Sequence, residues 1–551
     1  MATGGELVNE ILRRQSQLEG QRANWDSLWQ RVAEKVIPRQ NIFNITGPVT
    51  QAETRTERLF DSTAQLALER FAAAMEWMLI PRTQQWHKLA PADDLLREDR
   101  DVQIYCDQVT RILFEARYSP QSNFASQAHE SFMSLGAFGT GNLFIDDALG
   151  SHLRYRVVHL SETYFQENHV GIIDHVHRKF MMSWRQIAQR WPASGAEVHN
   201  RAQTNPFTET EVVHAVMPRG ELAVGRRDYQ GMPYSSCYVL ITNRLLLEEG
   251  GYWTMPYAVS RYVVAPREVY GRSPAITVFP DINMVNEQRK TDLRARQKAA
   301  DPPILAPDDD TLAPFDLRPG AMNYGGVNAQ GQQMIHPFVT GARLDMSMEG
   351  LSETRQIIND AFLVTLFQIL VQTPEMTATE ALLRAQEKGA LLAPTMGRQQ
   401  SELLGPLIAR ELDILARAGQ LPPMPPALAA RRGNVRIVYE SPLSRLQRAD
   451  EGVGILRTLE SIAPIAQADP SVMQLFDAEE TVRTLAEING VPAKLLRSKE
   501  QMDQIRQQQA AQANMQNVIA AAPQAASAAK DMAQAAATAG NIPPPQPGVG
   551  Q

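Results

Sequence analysis

The sequence predicts a mainly helical α+β fold, in which a helical first part, a strand-rich middle and several long helices follow one another. The chain has 551 residues, several times the usual domain size, which indicates more than one structural region. Apolar residues recur at three- and four-residue spacing up to about residue 140, and short β-rich runs follow from Leu143 to about Val264. Long helical stretches begin again at Pro274. This order favours α+β over an alternating βαβ array.

The first part contains predicted helices whose apolar residues lie on one face. The first spans residues 5–37 and ends at Pro38, and the second follows the capping cluster Asp61-Ser62-Thr63 and runs to Leu79. A third spans about Arg97 to Ala116, and a further helix covers Phe124 to Leu135.

The middle part reads as strands separated by Gly, Pro and Asn. One helix, Ser183–Trp191, interrupts them. The predicted strands are Leu153–Val158, Gly171–Phe180, Glu211–Met217, Ser236–Ile241 and Tyr257–Val263.

A polar helix from Pro274 to about Lys298 follows, and it carries few apolar residues after Val285. A helix this polar cannot be packed inside one subunit, so it is either solvated or shared between subunits. Asp301-Pro302-Pro303 ends it, and a Pro- and Gly-rich stretch leads to a second long helix, 346–370. Helix, irregular tip and helix together predict a protruding hairpin.

The last third is again mainly helical. A helix from Ala378 towards Gly419 is expected to bend at Pro394, and Asn434–Tyr439 reads as a strand. Residues 444–509 are expected to be helical. The Ala-rich segment 507–540 indicates a marginal helix before a disordered tail, unless many copies pack together.

Charge and cysteine content exclude several classes of protein. The net charge of −7 has the wrong sign for a protein that holds nucleic acid over a broad basic surface. The two cysteines, Cys106 and Cys237, form no CxxC pair and are expected to be buried thiols. The first residues lack the apolar region of a secretory signal, which favours synthesis in a cytoplasm, and no apolar run is long enough for a membrane span.

Motifs for chemistry are weak. The run Gly136-Ala137-Phe138-Gly139-Thr140-Gly141 lacks the lysine of a phosphate-binding loop and precedes a strand, so a helix-to-strand turn is favoured over nucleotide binding. His175 and His177 would share one strand face, either as two metal ligands or, more simply, as part of an exposed face. The run 308–310, three aspartates, reads as a solvated acidic turn rather than a cation site. We therefore expect no enzyme, no cofactor and no metal.

Several long segments nevertheless resemble one family. They are NWDSLWQRVAEKVIPR (24–39), RLFDSTAQLALERFAAAMEWMLIP (58–81), GAFGTGNLFID (136–146), RYVVAPREVYGRSPAITVFPDINMVNE (261–287), QKAADPPIL (297–305) and MTATEALLRAQEKGALLAPTMGRQQSELLGPLI (376–408). Together they resemble the portal proteins, or head-to-tail connectors, of short-tailed, podovirus-type bacteriophages. The resemblance covers roughly residues 1 to 500.

The resemblance implies a dodecameric ring of identical subunits at one capsid vertex. Double-stranded DNA would be packaged through it by a separate terminase and later ejected through it, and tail adaptors would attach to it. The implied regions are a wing (1–273), a stem helix (274–300), a clip (301–345), a second stem helix (346–370), a channel loop (371–377), a wing return helix and strand (378–443), a helical crown (444–509) and an Ala/Gln-rich tail, helical or barrel-forming and then disordered (510–551).

The resemblance also implies site residues. The channel loop nearest the DNA would contain Gln372, Thr373, Pro374, Glu375, Met376 and Thr377. The clip residues that dock the terminase large subunit or the adaptor would include Pro314, Phe315, Asp316, Arg318, Asn323 and Tyr324. The basic stem residues Arg289, Lys290, Arg294, Arg296 and Lys298 would divide between intersubunit pairs and weak phosphate steering, with a simply solvated helix face as the alternative.

Further expected partners are the major capsid protein and the scaffold protein, with no membrane. The expected location is the portal vertex of the virion, after assembly in the host cytoplasm. Two other functions stay open: a nucleic-acid enzyme or motor, which would need nucleotide or metal, and another structural protein of the head-tail junction.

Overall fold

The computed structural model describes most of the chain from residue 4 to residue 365 and parts of the remainder. The described residues are 4–40, 42–43, 58–97, 99–148, 152–220, 222–223, 225–226, 228–305, 316, 318, 320–322, 327–334, 336–337, 344–365, 394–431, 433–440, 452–462, 464, 477–488, 491, 495, 497, 501–512, 530 and 532.

Helices and strands occur in the mixed order expected of an α+β chain. The helices are α1 (Gly4–Val36), α2 (Thr63–Leu79), α3 (Arg100–Arg117), α4 (Phe124–Phe138), α5 (Trp184–Arg190), α6 (Ala196–Thr204), α7 (Pro274–Thr277), α8 (Phe279–Ala300), α9 (Leu344–Ala361) and α10 (Gly405–Arg417). Pro426–Ala430, 452–462, Ala478–Ile488 and 501–512 are also helical. The strands are β1 (His87–Pro91), β2 (Thr140–Ala148), β3 (His152–Val157), β4 (Thr163–Glu167), β5 (Ile173–Ser183), β6 (Glu209–Pro218), β7 (Tyr234–Leu240), β8 (Leu245–Tyr252), β9 (Tyr257–Arg261), β10 (Ile304–Leu305), β11 (His336–Pro337) and β12 (Val435–Tyr439).

The chain divides into two compact units. The first comprises Met1–Ala90, Gln108–Pro423 and Val435–Asp450. The second comprises Pro91–Asp107, Met424–Asn434 and Glu451–Gln551.

A five-stranded antiparallel sheet of order β4-β5-β6-β7-β8 forms a large part of the first unit. Successive side chains of a strand point to opposite faces, and β6 shows this directly. Val212 joins Trp184, Ile187 and other residues of α5 and α6 in one apolar cluster. Val213, the next residue, joins Val8 and other residues of α1 in another. The sheet therefore has helices on both faces.

A second sheet of order β3-β2-β9 follows directly from α4. Gly139 joins the helix to β2 with φ +83°, and a Cβ on it would lie only 2.3 Å from the carbonyl oxygen of Gly271. Only glycine suits this combination of positive φ and close backbone approach. The glycine-rich run 136–141 is thus a helix-to-strand turn, as predicted.

The long polar stretch forms two helices rather than one. Ser273 caps α7, and a break at Val278 precedes α8, which has Pro280 in its first turn. The prediction that so polar a helix cannot pack inside one subunit is wrong in part. One face of α8, including Ile282, Val285 and Asn286, is buried, and α8 contacts α9 within the same chain.

α9 and the helical segment before α10 also differ from the prediction. α9 ends at Ala361 and a turn follows at Phe362–Leu363, whereas we expected a helix to residue 370; residues 366–393 lie outside the described part. The segment 394–417 is helical and contains a π-helix at Gln400–Leu404. Pro406, which has no N–H to donate, follows that π-helix. Residues 391–393 lie outside the described part, so the bend expected at Pro394 stays a prediction.

The second unit is held by contacts between segments distant in sequence. The Ala92 amide donates to the Asn434 carbonyl at 3.1 Å, and Arg431 pairs with Asp93 at 3.3 Å. Helices 452–462 and Ala478–Ile488 meet at Gly452, where a Cβ would lie 3.2 Å from the Ile488 side chain. The prediction of helix between 444 and 509 is confirmed at these two helices and at 501–509.

Candidate functional site

The helices α8 and α9, with the tip between them, form the hairpin predicted from the sequence. Asn286 fixes α8, because its side chain accepts a hydrogen bond from the Phe60 amide at 2.8 Å and donates one to the Arg58 carbonyl at 3.2 Å. Arg355 of α9 donates to the Asp61 carboxylate at 2.5 Å. The base of the hairpin is therefore tied to the segment that leads into α2.

Asp61 serves two helices at once. It accepts a hydrogen bond from the Thr63 amide at 2.9 Å in the first turn of α2, and it binds Arg355 of α9. Burial alone would raise the pKa of Asp61, but the hydrogen bonds from Thr63 and Arg355 outweigh burial and lower it. The carboxylate thus stays charged and keeps α9 attached to α2.

The five basic residues of α8 that the resemblance places near the channel have different surroundings. Arg289 and Arg296 both bind the buried carboxylate of Asp292, each at 3.0 Å, and Lys290 pairs with Glu287 at 3.3 Å. Arg294 and Lys298 are exposed and make no ion pair with any residue in the described ranges. Three of the five charges are therefore engaged within α8.

The tip is described only in pieces. β10 pairs antiparallel with β11, Ile304 opposite Pro337 and Leu305 opposite His336. Asp316 accepts a hydrogen bond from the Arg318 amide at 3.1 Å, and both side chains are exposed. The other predicted clip residues, Pro314, Phe315, Asn323 and Tyr324, lie outside the described residues.

The predicted channel loop also lies outside the described residues: Gln372, Thr373, Pro374, Glu375, Met376 and Thr377. The helical segment that follows is described from residue 394, and buried polar contacts attach it to β9 and β4. Glu402 in the π-helix accepts from the Arg261 guanidinium at 2.8 Å and from the Arg261 amide at 2.9 Å. Gln399 donates to the Arg261 carbonyl at 2.9 Å, and Glu167 binds the same guanidinium.

A second buried ion pair holds α10. The guanidinium of Arg117, at the end of α3, donates to Glu411 at 2.9 and 2.5 Å, and Tyr155 of β3 donates to the same carboxylate at 2.5 Å. Arg117, Glu411 and Tyr155 are almost fully buried. Burial would lower the pKa of Arg117, but the charge of Glu411 and the hydrogen bonds to it together outweigh burial and raise that pKa, so the guanidinium stays charged. Sequence reasoning missed both ion pairs, because their partners are far apart in the chain.

The two strand histidines do not form an exposed face. His177 is fully buried and its Nδ1 lies 3.2 Å from the Gln15 amide oxygen, so that expectation is wrong for His177, which α1 covers. His175 is half-buried beside Asp174, with Nδ1 at 2.7 Å from the carboxylate. Across the part of the chain that the structure describes, no three His, Cys, Asp or Glu side chains are grouped to hold a metal. Cys106 and Cys237 are buried, as predicted.

No helix in the described ranges is both long and apolar enough to cross a membrane. A family model for the bacteriophage head to tail connecting protein matches residues 8–496. The chain belongs to this family.

Two curated relatives cover almost the whole length of the connector. It is 26% identical over 533 residues to the portal protein of Salmonella phage epsilon15, covering 95% of each chain. It is 25% identical over 511 residues to the probable portal protein of Bordetella phage BPP-1, covering 91% of each. The resemblance stated from the sequence segments is thereby confirmed.

Two solved structures are also similar, with low TM-scores and low sequence identity. The neck of an empty gene transfer agent particle matches with a TM-score of 0.34 and 13% identity, covering 75% of this chain and 90% of that one. The virion of a native gene transfer agent particle matches with a TM-score of 0.33 and 13% identity, covering 82% and 98%.

Proposed function

We propose that this connector is a portal subunit that forms a closed, dodecameric ring at one capsid vertex. Double-stranded DNA passes through the ring in both directions: a separate terminase packages it, and it leaves at infection after tail adaptors have attached. The observation that carries the proposal is the match to two portal proteins over 95% and 91% of the chain. The ring itself has no catalytic role, and it lies in the virion after assembly in the host cytoplasm.

The order of the helices supports separate roles for different parts of the subunit. α8 and α9 are the stem, and the residues between them are the clip, which contacts the terminase large subunit and then the adaptor. The capsid and scaffold proteins contact the wing. The negative net charge of −7 per subunit also suits a passage for a polyanion, because a strongly basic wall would bind the phosphates and hold the DNA in place.

The clip assignment is tested with exposed residues of the tip. Replacing Asp316 and Arg318 together with Ala should leave ring assembly unchanged, because both side chains are exposed. Binding of the terminase large subunit or the adaptor to purified rings, measured by co-sedimentation, should fall. Loss of the rings themselves would contradict the clip assignment.

The channel-loop assignment needs an assay on DNA. Replacing Gln372, Thr373, Glu375 and Met376 with Gly and Ser should spare the ring and reduce packaging or retention of DNA in particles. Unchanged packaging and retention would remove residues 371–377 from the constriction. A packaging defect explained by failed assembly would instead favour a role in subunit contacts.

A further inference from the structure

Two exposed helix faces of the hairpin carry opposite charge. On α8, Met284, Glu287, Thr291, Arg294 and Lys298 are all exposed and follow one another at three- and four-residue spacing, so they share one face. Its C-terminal end carries the two basic residues that have no ion pair with any described residue.

The exposed face of α9 is acidic. Glu349, Glu353, Gln356 and Asp360 are exposed at four-, three- and four-residue spacing, and Ile357 lies beside them. No described cation pairs with Glu349 or Glu353. The helix therefore presents unneutralised carboxylates near its N-terminal end, as α8 presents unneutralised cations near its C-terminal end.

The charges lie at matching heights along the hairpin. Ile358 of α9 and Ile282 and Asn286 of α8 line one small cavity at the base, so the C-terminal end of α9 meets the N-terminal end of α8. At about 1.5 Å per residue, Arg294 and Lys298 lie about 12 and 18 Å along α8 from Asn286, and Glu353 and Glu349 lie about 8 and 14 Å along α9 from Ile358. Arg294 and Glu353, like Lys298 and Glu349, therefore lie within about one helical turn of each other in height.

The base of each face is apolar at matching height as well. Met284 is 44% exposed on α8 and Ile357 is 45% exposed on α9. Each face thus has one large apolar residue near the base and charges of a single sign nearer the tip. The acidic residues near the base have partners within the chain, since Glu287 pairs with Lys290 and Asp360 accepts a hydrogen bond from Thr365. Rotation about an axis along the helices preserves height, so the α8 face of one copy can meet the α9 face of the next with apolar residues and opposite charges aligned.

We propose that the α8 face of one subunit docks against the α9 face of a second copy. Arg294 pairs with Glu353, Lys298 pairs with Glu349, and Met284 packs near Ile357. This interface rests on the proposed ring and specifies its stem contact. It is heterologous, since two different faces meet, and such an interface closes into a ring when the rotation allows it. It also assigns Arg294 and Lys298 to a neighbouring subunit rather than to DNA phosphates.

Charge reversal on the full-length chain tests the pairing. The variants are Arg294→Glu with Lys298→Glu, Glu349→Lys with Glu353→Lys, and all four changes together. Native mass spectrometry and sedimentation velocity give the subunit concentration at which half of the rings dissociate, from 50 to 500 mM NaCl. Each double variant should raise this concentration about tenfold at low salt, and the quadruple variant should bring it back to within about threefold of the unmodified chain.

A matched control makes the same change of net charge as Arg294→Glu with Lys298→Glu, but at residues outside α8 and α9. Arg13→Glu with Arg185→Glu alters exposed residues of α1 and α5 and should leave the rings unchanged. Far-UV circular dichroism of every variant separates loss of pairing from loss of folding. A double variant that misfolds is replaced by its neutral counterpart, Arg294→Gln with Lys298→Gln or Glu349→Gln with Glu353→Gln, which should give a smaller shift of the same sign.

Three results would overturn the pairing or what it rests on. Rings that are equally stable in both double variants, or a quadruple variant no more stable than the doubles, would reject the interface while leaving the ring intact. Intact rings of Arg294→Glu with Lys298→Glu that bind a linear DNA duplex more weakly in a mobility-shift assay would assign the two cations to phosphates. An unmodified chain that forms no ring would instead reject the proposed function.

Discussion

The buried ion pair of Arg117 with Glu411 tests most directly how α10 is attached to α3 and β3. In Arg117→Met, the cation–π contacts of the guanidinium with Trp86 and Phe114 are lost, and Glu411 is left with a buried charge and with Tyr155 as its remaining described side-chain donor. Removing one partner of a fully buried pair typically costs about 3–5 kcal/mol, because the other charge stays desolvated without compensation. Both side chains are fully buried, so the upper part of this range applies.

Hydrogen exchange of peptides covering Gly405–Arg417 measures the effect locally. A loss of about 4 kcal/mol or more corresponds to at least about 700-fold faster exchange, since each 1.4 kcal/mol is a factor of ten. The double variant Arg117→Met with Glu411→Leu removes both charges and should recover most of the protection. Two results would contradict this prediction. One is a loss of protection below about 1 kcal/mol in Arg117→Met. The other is a double variant whose loss of protection equals the summed losses of Arg117→Met and Glu411→Leu measured singly.

Two other predictions concern acid stability and the turn at residue 139. Burial lowers the pKa of His177 to about 3, below the ordinary 6.5, so the unfolded chain binds more protons and the stability present above about pH 6.5 is lost as the pH falls towards the folded pKa. His177→Gln should therefore flatten the fall in melting temperature between pH 7 and pH 4, and the exposed-site control His169→Gln should not; equal slopes would contradict this. Gly139→Ala should destabilise by more than about 2 kcal/mol in urea unfolding, because strain at positive φ is joined by a clash with Gly271, whereas Gly171→Ala, with φ +85° and open space around it, should cost only about 1 kcal/mol. Equal losses of unfolding free energy at the two glycines would show that the close approach of residue 139 to Gly271 does not contribute.

Helices with a regular apolar face were predictable because the information is local. Trp29, Val32 and Val36 follow the three- and four-residue spacing, and α1 is observed at Gly4–Val36 where 5–37 was expected. Ser183 caps α5 with a reciprocal hydrogen bond from Gln186, a signal also readable from sequence. The strands β5, β6, β7, β9 and β12 were likewise found within a few residues.

The elements missed by sequence reasoning lack such a signal. β8 contains Glu248, Glu249 and two glycines, so it reads as a loop, yet it pairs with β7 along its length because the sheet supplies a partner. β4 is short, and α6 has Val198 as its one fully buried residue. Tertiary pairing, rather than propensity, decides these segments.

The candidate site was only partly readable for the same reason. The polarity of α8 correctly marked it as unusual, but sequence alone gave no way to see that Asn286 and Asp292 are buried within the subunit. Their partners are Phe60 and Arg58 in one case and two arginines of the same helix in the other. The separation of Arg294 and Lys298 from the other three cations is therefore a result of packing.

The central claim is that the chain assembles into a closed ring. Native mass spectrometry of the purified full-length protein, combined with end-on views by negative-stain electron microscopy, tests it most directly. We expect one dominant assembly, a closed ring of about twelve subunits with a central opening. This ring should be less stable at high salt than at low salt. A monomer or dimer at every salt concentration would contradict it.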